Sequence, residues 1–512
     1  MKYVYYLLCL VGIIFWSSCR QDFETVASSG NLEFSKDTVY LDTIFTNIGS
    51  STYNLMVYNR SDEDITIPTI QLAQGENSKY RLSVDGLPGK TFENIDILAK
   101  DSIFIFIETT ADIQEFTTTE TQFLYTDAIE FDSGSNMQKV ELVTLVQDAI
   151  FLYPEKFPDG STETLSFGFD EEGNEILVEG FFLDDSELHF TNEKPYVIYN
   201  FATVPPNKTL IIDPGARIHF HRNSGLIVAN QGSLQVNGEL STDQEALENE
   251  VIFEGDRLEP SFSDVPGQWL ALWFTQGSTN NKISYATIKN AEVGILIDSN
   301  DGTANPTLTI DNSKIYNSLN AGMIARTSFV EAENTVIGSG GQVSLNLSLG
   351  GRYRFNNCTF ANYFIQNSRQ LPAVLIENQF ETGGDPLFED LVEATFQNCI
   401  IYGNENIELG FNKNDNAAFN FKFENCLIRF NDFNDDYEGI PEYDFSDTSL
   451  YEDVIINEDP NFKAHFDNEF IIGEESAANG IGNPATTTIN DILGETRGSQ
   501  PDAGAYESVV FE

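Results

Sequence analysis

The sequence predicts an all-β protein in which an N-terminal β-sandwich is followed by a parallel β-helix solenoid. Two observations carry the assignment. Residues 30–150 hold short runs of alternating apolar residues with no 3.6-residue periodicity, the pattern of half-buried strands. Between residues 312 and 428 an Asn-centred motif recurs at the spacing of one solenoid turn. The chain has 512 residues, 41% of them hydrophobic, with 40 Phe and 20 Tyr, enough for more than one core. Its net charge of −53, from 27 Lys and Arg against 80 Asp and Glu, repels phosphate backbones and excludes nucleic acid as a partner.

The chain opens with Met1-Lys2, an apolar run from Val4 to Trp16, and Ser17-Ser18-Cys19. The apolar run is too short to span a bilayer permanently, so residues 1–18 read as a secretory signal. Ser17-Ser18-Cys19 resembles the lipobox of bacterial lipoproteins, with Trp16 in place of the usual Leu. That resemblance implies diacylation of Cys19 and membrane attachment through the lipid. An ordinary signal peptide or an uncleaved anchor are the alternatives. Asp22 and Glu24 resemble the export signal of Bacteroidetes surface lipoproteins, which implies an outer-membrane lipoprotein exposed at the surface.

Residues 30–150 contain Thr38-Val39-Tyr40-Leu41 and Ile103-Phe104-Ile105-Phe106-Ile107, with turns such as Asp85-Gly86-Leu87-Pro88-Gly89. About seven antiparallel strands are expected. The pattern resembles the immunoglobulin-like domains of bacterial surface proteins and implies a spacer or docking module. Residues 151–204 are expected to form a connector and N-terminal cap, residues 205–445 the coils, and residues 446–512 a C-terminal cap.

The repeat consists of Asn312, Asn334, Asn357, Asn398 and Asn425, with Tyr285 in a divergent first copy. Each is followed by a small residue (Ala286, Ser313, Thr335, Cys358, Cys399, Cys426) and, two further on, by a large one (Ile288, Ile315, Ile337, Phe360, Ile401, Ile428). Spacings of 27, 22, 23, 41 and 27 residues mark single turns, one with an insertion. Coils stacked at about 4.8 Å bring like positions together. The asparagines are expected to form a hydrogen-bonded ladder, the small and large residues two inward stacks. Cysteines at positions filled elsewhere by Ala, Ser or Thr, without CxxC or Cys/His spacing, read as packing rather than metal ligands. Pro501-Asp502-Ala503-Gly504-Ala505-Tyr506-Glu507 resembles the C-terminal segment of bacterial right-handed parallel β-helix proteins. Together the motifs resemble pectate-lyase-like surface lipoproteins of Bacteroidetes over residues 205–507. The resemblance implies the fold and its right-handed winding, and no particular activity.

A lyase of acidic polysaccharide needs a cation for the uronate and a base; a hydrolase needs paired carboxylates. The best basic pair is Arg352 and Arg354, two apart and so on one face. Counting back from the asparagines places Glu331 beside Arg354 and Glu393 beside Arg352, so a salt-bridge row competes with a uronate clamp. His219 and His221 share a face and lack a third ligand, the pattern of exposed strand residues. Asp432, Asn434 and Asp436 alternate as in a Ca²⁺ loop but lack the EF-hand Gly and Glu. No cofactor is evident; Asp432, Asn434 and Asp436 are candidate ligands for Ca²⁺, and His219 with His221 is the other pair that could chelate a metal. The insertion around Glu381–Glu393 and the following segment 412–416 are candidate groove walls. Three functions remain open: a non-catalytic module binding glycan or a surface protein, a polysaccharide lyase or glycoside hydrolase, and a structural envelope protein.

Overall fold

The structure, a computed structural model, describes residues 24–116, 120–169, 173–381 and 386–511. Cys19 and the expected signal, residues 1–18, lie outside the described residues. The described chain is all-β: it contains short 3-10 turns and no α-helix. Large parallel sheets dominate. It divides into two compact units, Met1–Asp148 and Ala149–Glu512.

The first unit holds a six-stranded and a five-stranded sheet around one apolar cluster. Alternation builds this core. In Ser102–Thr109 the residues Ile103, Ile105 and Ile107 are buried, while Phe104 and Phe106 face outward. Tyr80 is fully buried, and its hydroxyl donates to Thr144 Oγ1 at 3.0 Å. Burial pushes the phenol of Tyr80 upward. Not every pairing is antiparallel as the alternation led one to expect. Thr38–Phe45 pairs in parallel with Gln138–Gln147, and Val26–Ala27 with Ile65–Leu72. Alternation reports which face a residue takes and is silent on strand direction.

The second unit is built on an 11-stranded and an 18-stranded sheet, parallel apart from one hairpin, Thr164–Phe169 with Glu175–Phe182. Parallel pairing begins at Ile150–Leu152, which pairs with Tyr196–Ile198, well ahead of residue 205. Residues expected only to connect and cap thus already supply core: Phe181, Phe190, Tyr196 and Ile198 are buried. At the far end Ile455–Ile456 still pairs with Leu427–Ile428. Asp453 there adopts the left-handed conformation of the asparagine corners, φ 52°.

In-register pairing stacks like on like. Ile288, Ile315, Ile337, Phe360, Ile401 and Ile428 align through successive strands and are buried. Phe355, Phe396, Phe423 and Tyr451 form a second column, with ring centroids 4.9, 4.8 and 5.5 Å apart. The spacing is that of neighbouring strands. Cys358, Cys399 and Cys426 are free and fully buried. Each thiol donates to the carbonyl two residues before it, at 3.4, 3.1 and 3.3 Å. Burial pushes the Cys399 thiol up, so it is an inert packing group.

The asparagine ladder is present at one step only. Asn334 Nδ2 donates to Asn312 Oδ1 at 3.0 Å. Elsewhere the amides turn to the C-terminal segment. Asn357 Oδ1 accepts from Thr487 Oγ1 and Thr488 N, Asn398 Oδ1 accepts from Asn483 N, and Asn425 Nδ2 donates to Ile481 O. The ladder gives way because backbone and side-chain groups of this segment take the place of a neighbouring Asn, and at Asn357 they bind both ends of the amide. Residues 459–511 therefore lie along the corner and cover the outer face of the later strands of the 11-stranded sheet. Phe470, Ile472, Ile492 and Tyr506 pack there on Val336, Ala361, Ile400 and Leu427. Buried Arg497 pins the segment, donating to Asn334 Oδ1, Asp502 O, Gly504 O and Glu507 Oε1. The end of the core is closed instead by Phe445, Leu450 and Val454.

Asn357 is fully buried with φ 50°. Asn357→Ala should cost about 1–3 kcal/mol for the donors left unpaired and about 1–2 kcal/mol for a left-handed alanine. Asn357→Gly should lose mainly the first part. Denaturant unfolding of the three proteins checks the order; alanine equal to glycine would contradict it.

Candidate functional site

Arg352 and Arg354 lie on the outer face of the strand Val343–Asn356. Arg354 sits opposite Glu331 and Arg352 opposite Glu393. Arg354 donates through Nε and Nη2 to the two oxygens of Glu393, each at 2.9 Å, and through Nη1 to Glu331 at 2.9 Å. The Glu393 and Glu331 carboxylates raise the Arg354 guanidinium above its ordinary range, and Arg354 in turn lowers Glu393. Arg352 is 3.9 Å from Glu393 and lies over the Phe329 ring. The adjoining cleft of about 830 Å³ is lined by Thr309, Asp311, Glu331, Arg354, Thr395 and Gln397. The Arg354 cation is already neutralised here, which leaves little to hold a uronate.

The remaining sequence candidates are engaged in local structure. Asp432 accepts from the backbone N–H groups of Asp436 at 3.0 Å and Tyr437 at 2.8 Å, while Asn434 Nδ2 lies 3.4 Å from Asp436 Oδ2. This is a self-closed turn. Among the described residues no group of three or more His, Cys, Asp and Glu is arranged to hold a metal. His219, expected to be exposed, is buried 3.7 Å from Glu254; His221 bonds Asp256 at 2.7 Å, which raises its pKa. Glu254 and Asp256 meet both histidines because they repeat the two-residue spacing on the next strand, Val251–Gly255, and at its end. The long insertion contributes a hairpin, Gln379–Phe380 with Leu387–Phe388; residues 382–385 lie outside the described residues. Just before it, Arg369 forms a fully buried ion pair with Glu408 at 2.6 Å, tying the preceding loop to the sheet.

A second groove escaped sequence reasoning. It lies on the strands Ala321–Glu333, Val343–Asn356, Val374–Glu377 and Leu409–Asn412. Register aligns Leu296, Ile324, Asn346 and Leu375 in one outward row. The next row runs Asp298, Arg326 and Ser348, with Glu377 facing Asn412. The cavity, about 410 Å³, is lined by Ile324, Arg326, Gln342, Asn346, Glu377, Gln379, Phe380 and Asn412, among others. Arg326 donates to Asp298 at 2.7 Å, and Trp273 Nε1 donates to the same carboxylate at 2.6 Å. Glu377 accepts from Asn412 Nδ2 at 2.9 Å, and Asn412 Oδ1 accepts from Gln379 Nε2 at 2.5 Å. No ion pair to Glu377 occurs among the described residues. Burial raises its pKa, opposed by the amides of Asn412 and Asn346. An unpaired acid of shifted pKa, set in a concavity among amides and apolar side chains, is the signature of a binding or catalytic site.

No protein-family model matches the chain, and no curated protein matches it. Solved structures that match include a family 123 glycoside hydrolase from Clostridium perfringens, at 9% identity over 24% of this chain and 30% of that one, TM-score 0.16. The chain thus covers under a third of that protein. A GH87 α-1,3-glucanase catalytic domain matches at 12% identity over 73% of this chain and 82% of that one, TM-score 0.16. The periplasmic chaperone SfaE matches at 11% identity over 23% and 65%, TM-score 0.15. Likeness at these scores carries no argument, and the reading of the groove rests on its own geometry.

Glu377 binds its proton more tightly folded than unfolded, so its contribution falls as pH rises from the ordinary glutamate value, 4.5, through the raised one. Glu377→Gln should therefore be at least as stable as wild type at neutral pH, with the gap closing on acidification below that value. Unfolding curves across pH check it; a variant uniformly less stable at neutral pH would contradict the sign.

Proposed function

We propose that the chain is a lipid-anchored, non-catalytic carbohydrate-binding protein of the cell envelope, working through the outer face of its long parallel sheet. In this reading the second unit winds as a right-handed parallel β-helix, and the first is an immunoglobulin-like β-sandwich that spaces it from an acyl chain on Cys19. The observation that carries the function is the groove at Glu377. Its amides and acid offer donors and acceptors to hydroxyls, and Ile324 and Phe380 offer apolar surface to sugar C–H groups. No helix among the described residues is long and apolar enough to cross a membrane; membrane attachment in this reading is through the acyl chain on Cys19.

One observation favours a second reading. A carboxyl with raised pKa in a groove is what a glycosidase general acid requires, and Glu381 lines the same cavity as a second carboxylate. The two readings separate on a glycan array incubated with the mature chain, with and without Ca²⁺. Retention without cleavage is the expected result; new reducing ends or unsaturated uronate ends would overturn the non-catalytic reading. For the anchor, Cys19→Ala should give an unlipidated product that leaves the membrane fraction; unchanged fractionation would contradict it.

A further inference from the structure

Resting on carbohydrate binding by this face, the geometry points to a narrower assignment: the groove takes a neutral hexose unit, seated on Ile324 and Phe380, whose hydroxyls are read by Glu377 and Asn412. The charge inventory of the groove decides the class. Its guanidinium, Arg326, is given to Asp298 at 2.7 Å, and that carboxylate is held on its other side by Trp273 Nε1 at 2.6 Å. An acidic sugar would thus meet a spent cation and a protein of net charge −53.

A cationic sugar is disfavoured for a different reason. Glu377 is enclosed by amides, and burial favours its neutral form. Asn346 Oδ1 beside it is buried and finds no donor among the described residues. Asn412, fixed between Glu377 and Gln379, holds that acid in place. The apolar floor completes the fit. Phe380 is 46% exposed at the cavity wall, and Ile324 lies in the outward row beside Asn346. Uncharged rings with one C–H face and a hydroxyl edge match this combination of flat apolar and bidentate polar surface.

The test is titration calorimetry of the full mature chain with cellohexaose, laminarihexaose, mannohexaose, a galacturonate hexamer and a glucosamine hexamer. A neutral hexamer should bind best. Glu377→Ala and Asn412→Ala should weaken it about tenfold or more, as loss of a buried hydrogen-bonding group does, while Glu377→Gln should stay within about threefold. Near-UV circular dichroism of each variant separates lost contacts from lost folding. Tighter binding of the galacturonate or glucosamine hexamer would overturn the assignment, as would a neutral hexamer bound equally by folded Glu377→Ala. In the last case carbohydrate binding itself survives. Binding of charged array glycans with no neutral hexamer bound overturns this assignment alone, whereas a blank array and blank titrations overturn both.

Discussion

The second unit depends on one backbone constraint, the left-handed corner that begins each strand of the 11-stranded sheet from residue 286 onward. Asn312, Asn334, Asn357, Asn398 and Asn425 hold φ between 44° and 52°, and Asp453 repeats the corner at 52°. Asn and Asp tolerate this conformation better than other side chains bearing a Cβ. With the corner fixed, the next residue points into a tight interior and the residue two further on into a wider one. The small and large columns then follow. A slip of one residue would send every one of these side chains to the opposite face. Beyond the bend at Thr327 the 18-stranded sheet keeps an in-register pairing of its own, and Asp298, Arg326 and Ser348, far apart in sequence, form one row.

The corner also explains how the chain's end is used. A left-handed Asn presents its amide outward, where the segment 481–504 binds it. Arg497 is buried and bonds half-buried Glu507 and the Asn334 amide. Removing the Glu507 carboxylate leaves the Arg497 charge buried and uncompensated, a loss of up to about 3–5 kcal/mol. The C-terminal segment thus covers the outer face of the later strands of the 11-stranded sheet, as the hairpin Thr164–Phe169 with Glu175–Phe182 covers Phe201, Ile227 and Trp273 of the 18-stranded one. The two clefts described above lie on the 18-stranded sheet, on either side of the bend at Thr327 and Leu349–Gly351.

Local patterns were legible in the sequence. The corner asparagines, the small and large columns, and the facing of Arg354 with Glu331 all lie within a few residues of a corner, where phase is preserved. Phase is lost across the loops on the other side. The row from Asp298 to Asn412 advances by 22 to 35 residues at each step, so Glu377 could not be placed by counting. Asp453 was overlooked because it replaces Asn, although Tyr451 and Ile456 keep the flanking pattern. The pairing of Thr38–Phe45 with Gln138–Gln147, and the course of residues 459–511 along the corner, are long-range. No local periodicity encodes either.

The charge of −53 acquires a location in this account. Cations on the 18-stranded sheet are spent on carboxylates, Arg326 on Asp298 and Arg354 on Glu331 and Glu393, while Glu377 is held by Asn412 and has no cationic partner among the described residues. The most direct test is hydrogen exchange of the mature chain with and without the best-bound array glycan. Protection should concentrate in residues 321–326 and 343–348, Val374–Glu377 and Leu409–Asn412. Protection in Leu391–Gln397 and Phe419–Glu424, or within residues 24–148, would place the ligand elsewhere and contradict the account.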